Sequence, residues 1–231
     1  MIVATLNEAK NLPRLIESLA ADGTDDRPDE IVVADGGSTD GTADLAARLG
    51  ARVVHAPSGR GVQLAAGAEA AAADLLHFLH ADTRVAPGAL AAVRRAYRDP
   101  RVIATGMRQR VESPARIYRF IERAADLRVR CGYVYGDSGL AVRRESYRQV
   151  GGFRSMPIFE DLDLSRRLRR SGKVVLVDEA RLFVSPRRWQ RDGALRGTLR
   201  NWILTLGWAA GMDPERLARH YRPYSDPPSS P

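Results

Sequence analysis

The stretch Leu75-Leu76-His77-Phe78-Leu79-His80-Ala81-Asp82-Thr83 decides the fold that the rest of the chain is expected to adopt. Residues 75–79 are largely apolar and are bounded by polar residues, a pattern typical of a buried strand in the centre of a parallel sheet. In open α/β sheets, ligands bind at the carboxyl ends of the strands, so we expect Asp82 to project into that crevice. A carboxylate in such a place suits Mg²⁺ or Mn²⁺, which prefer oxygen ligands. The alternative interpretation is that Asp82 serves only as a turn or capping residue.

Strands and helices are predicted to alternate on both sides of this stretch. Apolar runs predict strands at 2–6, 30–34, 52–55, 75–79, 102–106, 139–142, 173–177 and 181–184. Helical periodicity and capping residues predict helices after residues 11, 41, 59 and 86, and at 117–127, 160–170, 194–210 and 214–221. This alternation with short loops is typical of an α/β fold with a mostly parallel, Rossmann-like central sheet flanked by helices, followed here by C-terminal helices.

The composition is that of an ordinary globular protein, with 231 residues, 44% apolar and 28% charged. The net charge of +8 is scattered along the chain and aromatic residues make up only 6%, so we expect no nucleic-acid partner. No uncharged run is long enough to span a membrane, and Asn7, Glu8 and Lys10 interrupt the first apolar run too early for a signal peptide. The single cysteine, Cys131, permits no intrachain disulfide. The expected location is therefore cytoplasmic, with the inner membrane face as a peripheral alternative.

Polar residues follow three of the predicted strands in the first half of the chain. Asn7 and Glu8 follow the first strand, Asp35 follows the second, and His80 with Asp82 follows the fourth. Carboxylates at such positions can accept hydrogen bonds from ribose hydroxyls or a base N–H, although each residue is also a common turn residue. Three such strand ends in succession favour a ligand site at this edge of the sheet.

Two further segments carry groups suited to transfer chemistry. Gly59-Arg60-Gly61 lies before a predicted helix, where backbone N–H groups and an arginine can bind a phosphate, although a flexible loop with a solvated arginine explains it equally. Glu160-Asp161-Leu162-Asp163 begins another predicted helix. Its acids match the helix dipole, and one of them could also serve as a general base.

Several motifs follow one another in the chain: Thr5–Leu12 (TLNEAKNL), Ala34–Thr42 (ADGGSTDGT), His80–Thr83 (HADT), Gly151-Gly152-Phe153 and Glu160-Asp161. In order and spacing they resemble the motifs of family 2 glycosyltransferases with the GT-A fold, over about residues 1–185. The resemblance is closest to a bacterial subgroup with the patterns H-A-D-T, Y-G-D-x-G and P-I-x-E-D-L-D-L-S-R-R-L. The second pattern is carried here by Tyr135–Gly139 and the third by Pro157–Leu168.

The resemblance implies an inverting, non-processive transfer of a sugar, UDP-linked, from a nucleotide diphosphate sugar to a small or lipid-linked hydroxyl acceptor. It implies that the nucleotide sugar is bound by Thr5, Asn7, Glu8, Asp35, Gly36, Arg60, Ala81 and Asp82. Asp82 would also bind the metal, Mn²⁺ or Mg²⁺, and Asp161 would be the catalytic base. Asp163 is expected to face elsewhere and to serve as a neutral control. The acceptor region would contain Tyr135, Asp137, Glu160, Arg188 and Trp189.

Two departures from the family pattern keep other interpretations open. His80 replaces the first acid of the D-x-D metal motif, and Ser185 stands where the Q-x-x-R-W motif of processive members has glutamine. One alternative is a sugar-nucleotide-binding protein with weak or no transferase activity, which the presence of both Asp82 and Asp161 disfavours. The other is a nucleotidyltransferase, which the absence of a glycine-rich basic loop after the first strand disfavours.

The domain prediction is a single unit over 1–222, divided into a nucleotide-sugar half (1–106), an acceptor half (107–190) and C-terminal helices (191–222), with a disordered tail over 223–231. In the C-terminal segment, Leu199, Trp202, Ile203, Leu206 and Ala210 share one helical face. We expect that face to pack on the domain or against a second subunit in a homodimer. The alternative is a peripheral membrane helix that presents a lipid-linked acceptor.

Overall fold

The fold is described by a computed structural model that covers residues 1–20 and 27–221. Its strands are β1 (Ile2–Thr5), β2 (Val32–Asp35), β3 (Arg52–His55), β4 (Leu75–His80), β5 (Thr83–Val85), β6 (Val102–Val111), β7 (Ala141–Arg143) and β8 (Lys173–Val184). Its helices are α1 (Leu12–Ala20), α2 (Thr42–Arg48), α3 (Arg60–Ala70), α4 (Ala89–Ala96), α5 (Arg116–Arg130), α6 (Arg144–Gln149), α7 (Glu160–Ser171), α8 (Arg187–Asp192), α9 (Ala194–Ala209) and α10 (Pro214–Ala218). The predicted tail, 223–231, lies outside the described residues.

The strands form one sheet in the order β3-β2-β1-β4-β7-β6-β8-β5. The first four strands of that order run parallel, with Ile2 of β1 opposite Val32 of β2 and Phe78 of β4. Strand β7 is antiparallel to both β4 and β6, β8 is parallel to β6, and β5 is antiparallel to β8. The predicted mixed α/β fold with helices flanking a mostly parallel sheet is confirmed.

The core has two layers because successive strand residues face opposite sides of the sheet. On one side, Val3 and Leu79 pack with helices α1 and α4. On the other, Ile2 and Phe78 pack with helices α3 and α7. The central strand β4 therefore contributes to both layers, as its largely apolar sequence predicts.

The two strands predicted at 173–177 and 181–184 are one strand, β8, and that prediction of a break was wrong. The pairing with β6 shifts between Met107, opposite Val177, and Arg108, opposite Arg181. The extra residues Asp178, Glu179 and Ala180 form a bulge in β8, which explains the polar interruption that suggested a turn. The short elements β5, α6 and α8 were not predicted, since each has too few residues for a periodic signal.

The apolar face of α9 does not pack on the domain, contrary to one of the two expectations for it. Leu199, Ile203 and Leu206 are 58%, 60% and 69% exposed, and Trp202 is 48% exposed. Only Gly197 and Leu204 of this helix are buried. Within 1–20 and 27–221, no helix combines the length and the apolarity needed to cross a bilayer.

Candidate active site

Hydrogen bonds that involve side chains link the loop after β1 to the loop after β2. The Asn7 amide N–H donates to Ser38 Oγ (2.9 Å), and the Thr39 amide donates to Asn7 Oδ1 (2.9 Å). The Glu8 amide donates to Thr42 Oγ1 (2.9 Å). Asn7 adopts a left-handed backbone conformation with φ of 57°, which asparagine tolerates better than most residues. The structure thus brings the first two predicted strand ends together.

Asp35, expected to contact the base, holds its own turn. Its Oδ1 accepts from the Thr5 and Ser38 hydroxyls, and its Oδ2 accepts from the Gly37 (3.1 Å) and Ser38 (2.9 Å) amides. Burial to 1% exposure acts to raise the pKa of Asp35, but these hydrogen bonds outweigh burial and hold its pKa below the ordinary value. The Asp35 carboxylate is therefore charged and stabilises the conformation of its own loop. Its contact with the nucleotide base stays a prediction.

Gln63 is a site residue that the sequence interpretation missed. Its Nε2 donates to the carbonyl oxygens of Thr5 (2.7 Å) and Ala34 (2.9 Å), and its Oε1 accepts from the Gly59 amide (3.2 Å). A Cβ at Gly36 would lie 2.9 Å from the Gln63 side chain, so this close approach requires glycine. The signal in the sequence was a single amide side chain between Arg60 and Glu69 of α3, where the other residues are small or apolar. The Gln63 side chain links α3 to the ends of β1 and β2.

Arg60 joins three elements at the centre of the site. Its Nε donates to Glu160 Oε1, and its Nη2 lies 3.9 Å from Asp161 Oδ2. Its Nη1 lies 3.5 Å from His80 Nε2. The first residue of α3, the last residue of β4 and the first turn of α7 therefore meet at one guanidinium group.

The adjacent acids Glu160 and Asp161 are both buried, but their pKa values move in opposite directions. Burial, and then the charge of Glu160, raise the pKa of Asp161 above its ordinary value. Burial also acts to raise the pKa of Glu160, but Arg60 outweighs it and holds that pKa below its ordinary value. Asp161 is fixed by hydrogen bonds from the Gly136 amide to Oδ2 (2.8 Å) and from the Leu162 amide to Oδ1 (2.7 Å). Two neighbouring acids whose pKa values are shifted in opposite directions are typical of sites for acid–base catalysis.

His80, which replaces the first acid of the metal motif, is packed between Arg60 and Gly136. A Cβ at Gly136 would lie 2.3 Å from His80 Nε2. The imidazole therefore occupies the space that the side chain of any residue other than glycine at position 136 would need. Burial, and then the charge of Arg60, lower the pKa of His80, which favours the neutral ring at neutral pH. A small cavity adjoins the ring and is also lined by Phe153 and Asp161.

Asp82 follows the buried Ala81, and its side chain is 32% exposed. Arg187 of α8 places its Nη2 3.2 Å from Asp82 Oδ2 and 4.0 Å from Glu8 Oε2. Within the described residues, no three His, Cys, Asp or Glu side chains are grouped to hold a metal ion. A single accessible carboxylate fits a cation shared with substrate phosphates, the way in which Mg²⁺ commonly binds.

Two residues of the predicted acceptor region are held by Arg128 of α5. Its Nη2 donates to Asp137 Oδ1 (2.9 Å), and its guanidinium lies 3.6 Å from the centre of the Tyr135 ring. Burial acts to raise the pKa of Asp137, but Arg128 outweighs it and lowers that pKa. Tyr135 also contacts Thr205 of α9 through its hydroxyl (3.5 Å).

Of the other three residues of that region, Glu160 pairs with Arg60, and Arg188 and Trp189 lie on α8. Trp189 packs edge-on against Tyr118 with ring centroids 5.9 Å apart. Arg188 lies 4.8 Å from the centre of the Tyr221 ring and donates to Asn201 Oδ1 (3.4 Å). These contacts attach α8 to its neighbours, and a role of either residue toward an acceptor stays a prediction.

Asp163 forms ion pairs with Arg154 and Arg167, so it is unsuitable as a neutral control. It is buried and accepts from Arg167 Nε (3.0 Å) and Nη2 (2.7 Å). Arg167 also donates to the carbonyl oxygens of Val150 and Gly152. The pair therefore holds the Gly151-Gly152-Phe153 segment against α7.

A mostly parallel α/β sheet, with an accessible carboxylate after the central strand and a buried acid in the first turn of a nearby helix, is the arrangement of the GT-A class. The chain belongs to glycosyl transferase family 2, whose family model matches residues 1–158. That match ends before Glu160 and Asp161. A search of the curated proteins finds no match.

Solved structures share the fold at low sequence identity. Mannosyltransferase PcManGT from Pyrobaculum calidifontis, in complex with GDP-Man and Mn²⁺, matches with a TM-score of 0.66 and 18% identity over 95% of this chain and 67% of that one. S. aureus TarS 1–349 matches with a TM-score of 0.64 and 17% identity over 94% and 67%. Glucosyl-3-phosphoglycerate synthase from Mycobacterium tuberculosis, in complex with Mn²⁺, UDP and glucosyl-3-phosphoglycerate, matches with a TM-score of 0.58 and 20% identity over 91% and 79%. At these identities the likeness is one of fold.

Proposed function

We propose that the protein is an inverting glycosyltransferase that moves a sugar from a nucleotide diphosphate sugar, UDP-linked, to a hydroxyl acceptor. One observation carries the proposal: Arg60 joins the end of β4, which leads to Asp82, with the paired acids Glu160 and Asp161. This contact supports placing the residue proposed to bind the metal and the residue proposed as the base in one site. Family membership supports the reaction class, and neighbours in complex with UDP or GDP-Man together with Mn²⁺ support the donor class.

The donor would bind over the two hydrogen-bonded loops at the ends of β1 and β2. Because Asn7, Glu8 and the turn at Asp35 are already hydrogen-bonded, little conformational entropy is lost when they contact a nucleoside. Asp82 would hold Mn²⁺ or Mg²⁺ together with the diphosphate, and such a cation neutralises the negative charge of a departing diphosphate.

Asp161 would act as the base. The acceptor oxygen bonds to the anomeric carbon from the face opposite the diphosphate, the bond from that carbon to the diphosphate oxygen breaks, and the hydroxyl proton passes to Asp161. Its raised pKa suits proton acceptance, and the Gly136 and Leu162 amides keep its carboxylate in place. Asp137 is the weaker candidate because Arg128 lowers its pKa.

A second candidate is a sugar-nucleotide-binding protein without transfer activity. The pairing of Asp82 with Arg187 favours it, because a bound guanidinium competes with a metal ion for the same carboxylate. Release of UDP from UDP-sugars, with and without Mn²⁺, separates the two functions. Binding without release, across a panel of hydroxyl acceptors, would favour the second candidate.

The test of the base is Asp161→Asn, with Asp44→Asn as the matched control. Asp44 is also an acid in the first turn of a helix, α2, but it is exposed. We expect Asp161→Asn to lower kcat by about a hundredfold to ten-thousandfold while leaving the Kd of the donor nearly unchanged. Near-wild-type kcat at saturating acceptor would assign the base to another residue. Full wild-type activity in EDTA would contradict the metal at Asp82.

A further inference from the structure

Helix α9 exposes a continuous row of large apolar side chains. Leu195, Leu199, Trp202, Ile203 and Leu206 are between 48% and 72% exposed, and their spacing places them on one face of the helix. Exposed apolar patches of this kind mark interaction sites, since single exposed apolar residues are ordinary but contiguous ones are not.

The charged side chains of α9 itself and the exposed charged side chains of α5 are all basic, whereas exposed acids, Asp213 and Glu215, lie beyond the C-terminal end of α9. Helix α9 contains Arg196 and Arg200 and no acid, and Arg200 pairs with Asp192. The exposed residues of the adjoining helix α5 are Arg116, Arg119, Phe120, Arg123, Leu127 and Arg130, while its two acids, Glu122 and Asp126, are buried. Arg119 pairs with Glu122 and Arg130 with Asp178. Within the described residues, Arg116, Arg123 and Arg196 have no acid partner.

We propose that the apolar face of α9, flanked by these arginines, docks on an anionic lipid surface. Leucine, isoleucine and tryptophan side chains would enter the interface between head groups and acyl chains, and the arginines would bind lipid phosphates. A second copy of the chain fits this face less well, because a two-fold interface brings the same patch of each copy together and would place the unpaired arginines of both copies side by side. The proposal does not depend on the transfer reaction.

The experiment is co-sedimentation of the full chain with vesicles of phosphatidylcholine alone and of phosphatidylcholine with phosphatidylglycerol. We expect binding to the anionic vesicles only, weakened by salt. Arg196→Glu removes one basic group and adds a negative one, and should weaken binding by about fivefold or more. The matched control, Arg48→Glu, makes the same charge change at an exposed position on α2 and should leave binding unchanged.

The apolar contribution is tested by Leu206→Ser, which adds no charge and alters a side chain that is 69% exposed, so the fold should be retained. Loss of the contact between Leu206 and the acyl chains should weaken vesicle binding by about tenfold or more. A wild-type protein that stays in the supernatant with both vesicles, or a Leu206→Ser variant that sediments like wild type, would overturn the proposal. A wild-type dimer that Leu206→Ser converts to a monomer in light scattering would also overturn it, in favour of a second copy.

Discussion

Arg60→Met tests whether the ion pair at the centre of the site holds the fold together. Methionine keeps the length of the side chain and removes its charge, which leaves Glu160 only 2% exposed and without its guanidinium partner. Breaking a buried pair by removing one partner costs about 3–5 kcal/mol. Because the Arg60 side chain is itself 37% exposed, we expect the lower end, about 3 kcal/mol.

Equilibrium unfolding in urea measures this loss, together with a double-mutant cycle through Glu160→Gln. Glu160→Gln alone should lower the free energy of unfolding by less than Arg60→Met does, because the Arg60 guanidinium that remains is partly exposed and can be solvated. The double variant should be more stable than Arg60→Met by about 1–2 kcal/mol, because it no longer buries an unpaired charge. A loss below about 1 kcal/mol in Arg60→Met, or a double variant less stable than Arg60→Met, would refute the reasoning.

The same pair makes a prediction for pH. Since the pKa of Glu160 is lowered in the folded protein, its contribution to stability is present above the pKa of an unfolded glutamate, about 4.3, and is lost as pH falls through the folded pKa. In Arg60→Met the carboxyl is buried without a partner, so it protonates readily in acid. The stability difference between wild type and variant should therefore be largest near neutral pH and shrink toward pH ~4. If the stability difference between wild type and Arg60→Met did not change with pH, lost packing and not lost charge would account for the effect of the substitution.

Two further substitutions probe the packing around the site. Gly136→Ala should lower stability by about 1–3 kcal/mol because its Cβ meets His80, and thermal unfolding should show no comparable loss for the control Gly197→Ala, whose Cβ would lie 3.5 Å from the nearest atom. Asp163→Asn should lower stability by about 3 kcal/mol, because Arg167 loses its carboxylate, and kcat of the folded variant should be near wild type. A neutral effect of either Gly136→Ala or Asp163→Asn on the melting temperature would contradict the contact that it tests.

Features governed by local sequence were predictable. The largely apolar run at 75–79 identified the central strand, and the polar residues after β1 and β2 identified loops that the structure joins. Contacts between distant segments were not predictable from pattern. Nothing near Arg60 in the sequence indicates that it pairs with Glu160, and Gln63 reaches β1 and β2 only because the sheet places α3 beside them.

The exposed face of α9 shows the limit of periodicity as a signal. Its apolar spacing correctly indicated a helix with one apolar face, but periodicity does not say what covers that face. The bulge in β8 is a similar case, since polar residues within a strand resemble a turn until the pairing with β6 is known.

The contact between Arg60 and Glu160 spans 100 positions of the chain, and this separation bears on how the protein is assembled. Contacts between distant positions lose loop entropy before they gain energy, so they form slowly. During synthesis, Arg60 and His80 leave the ribosome long before α7, which supplies both acids that contact the Arg60 guanidinium. A fragment that ends before Glu160 would contain the residues proposed to bind the nucleotide and would lack the acid proposed as the base. The candidate site is thus complete only when the last third of the chain has folded.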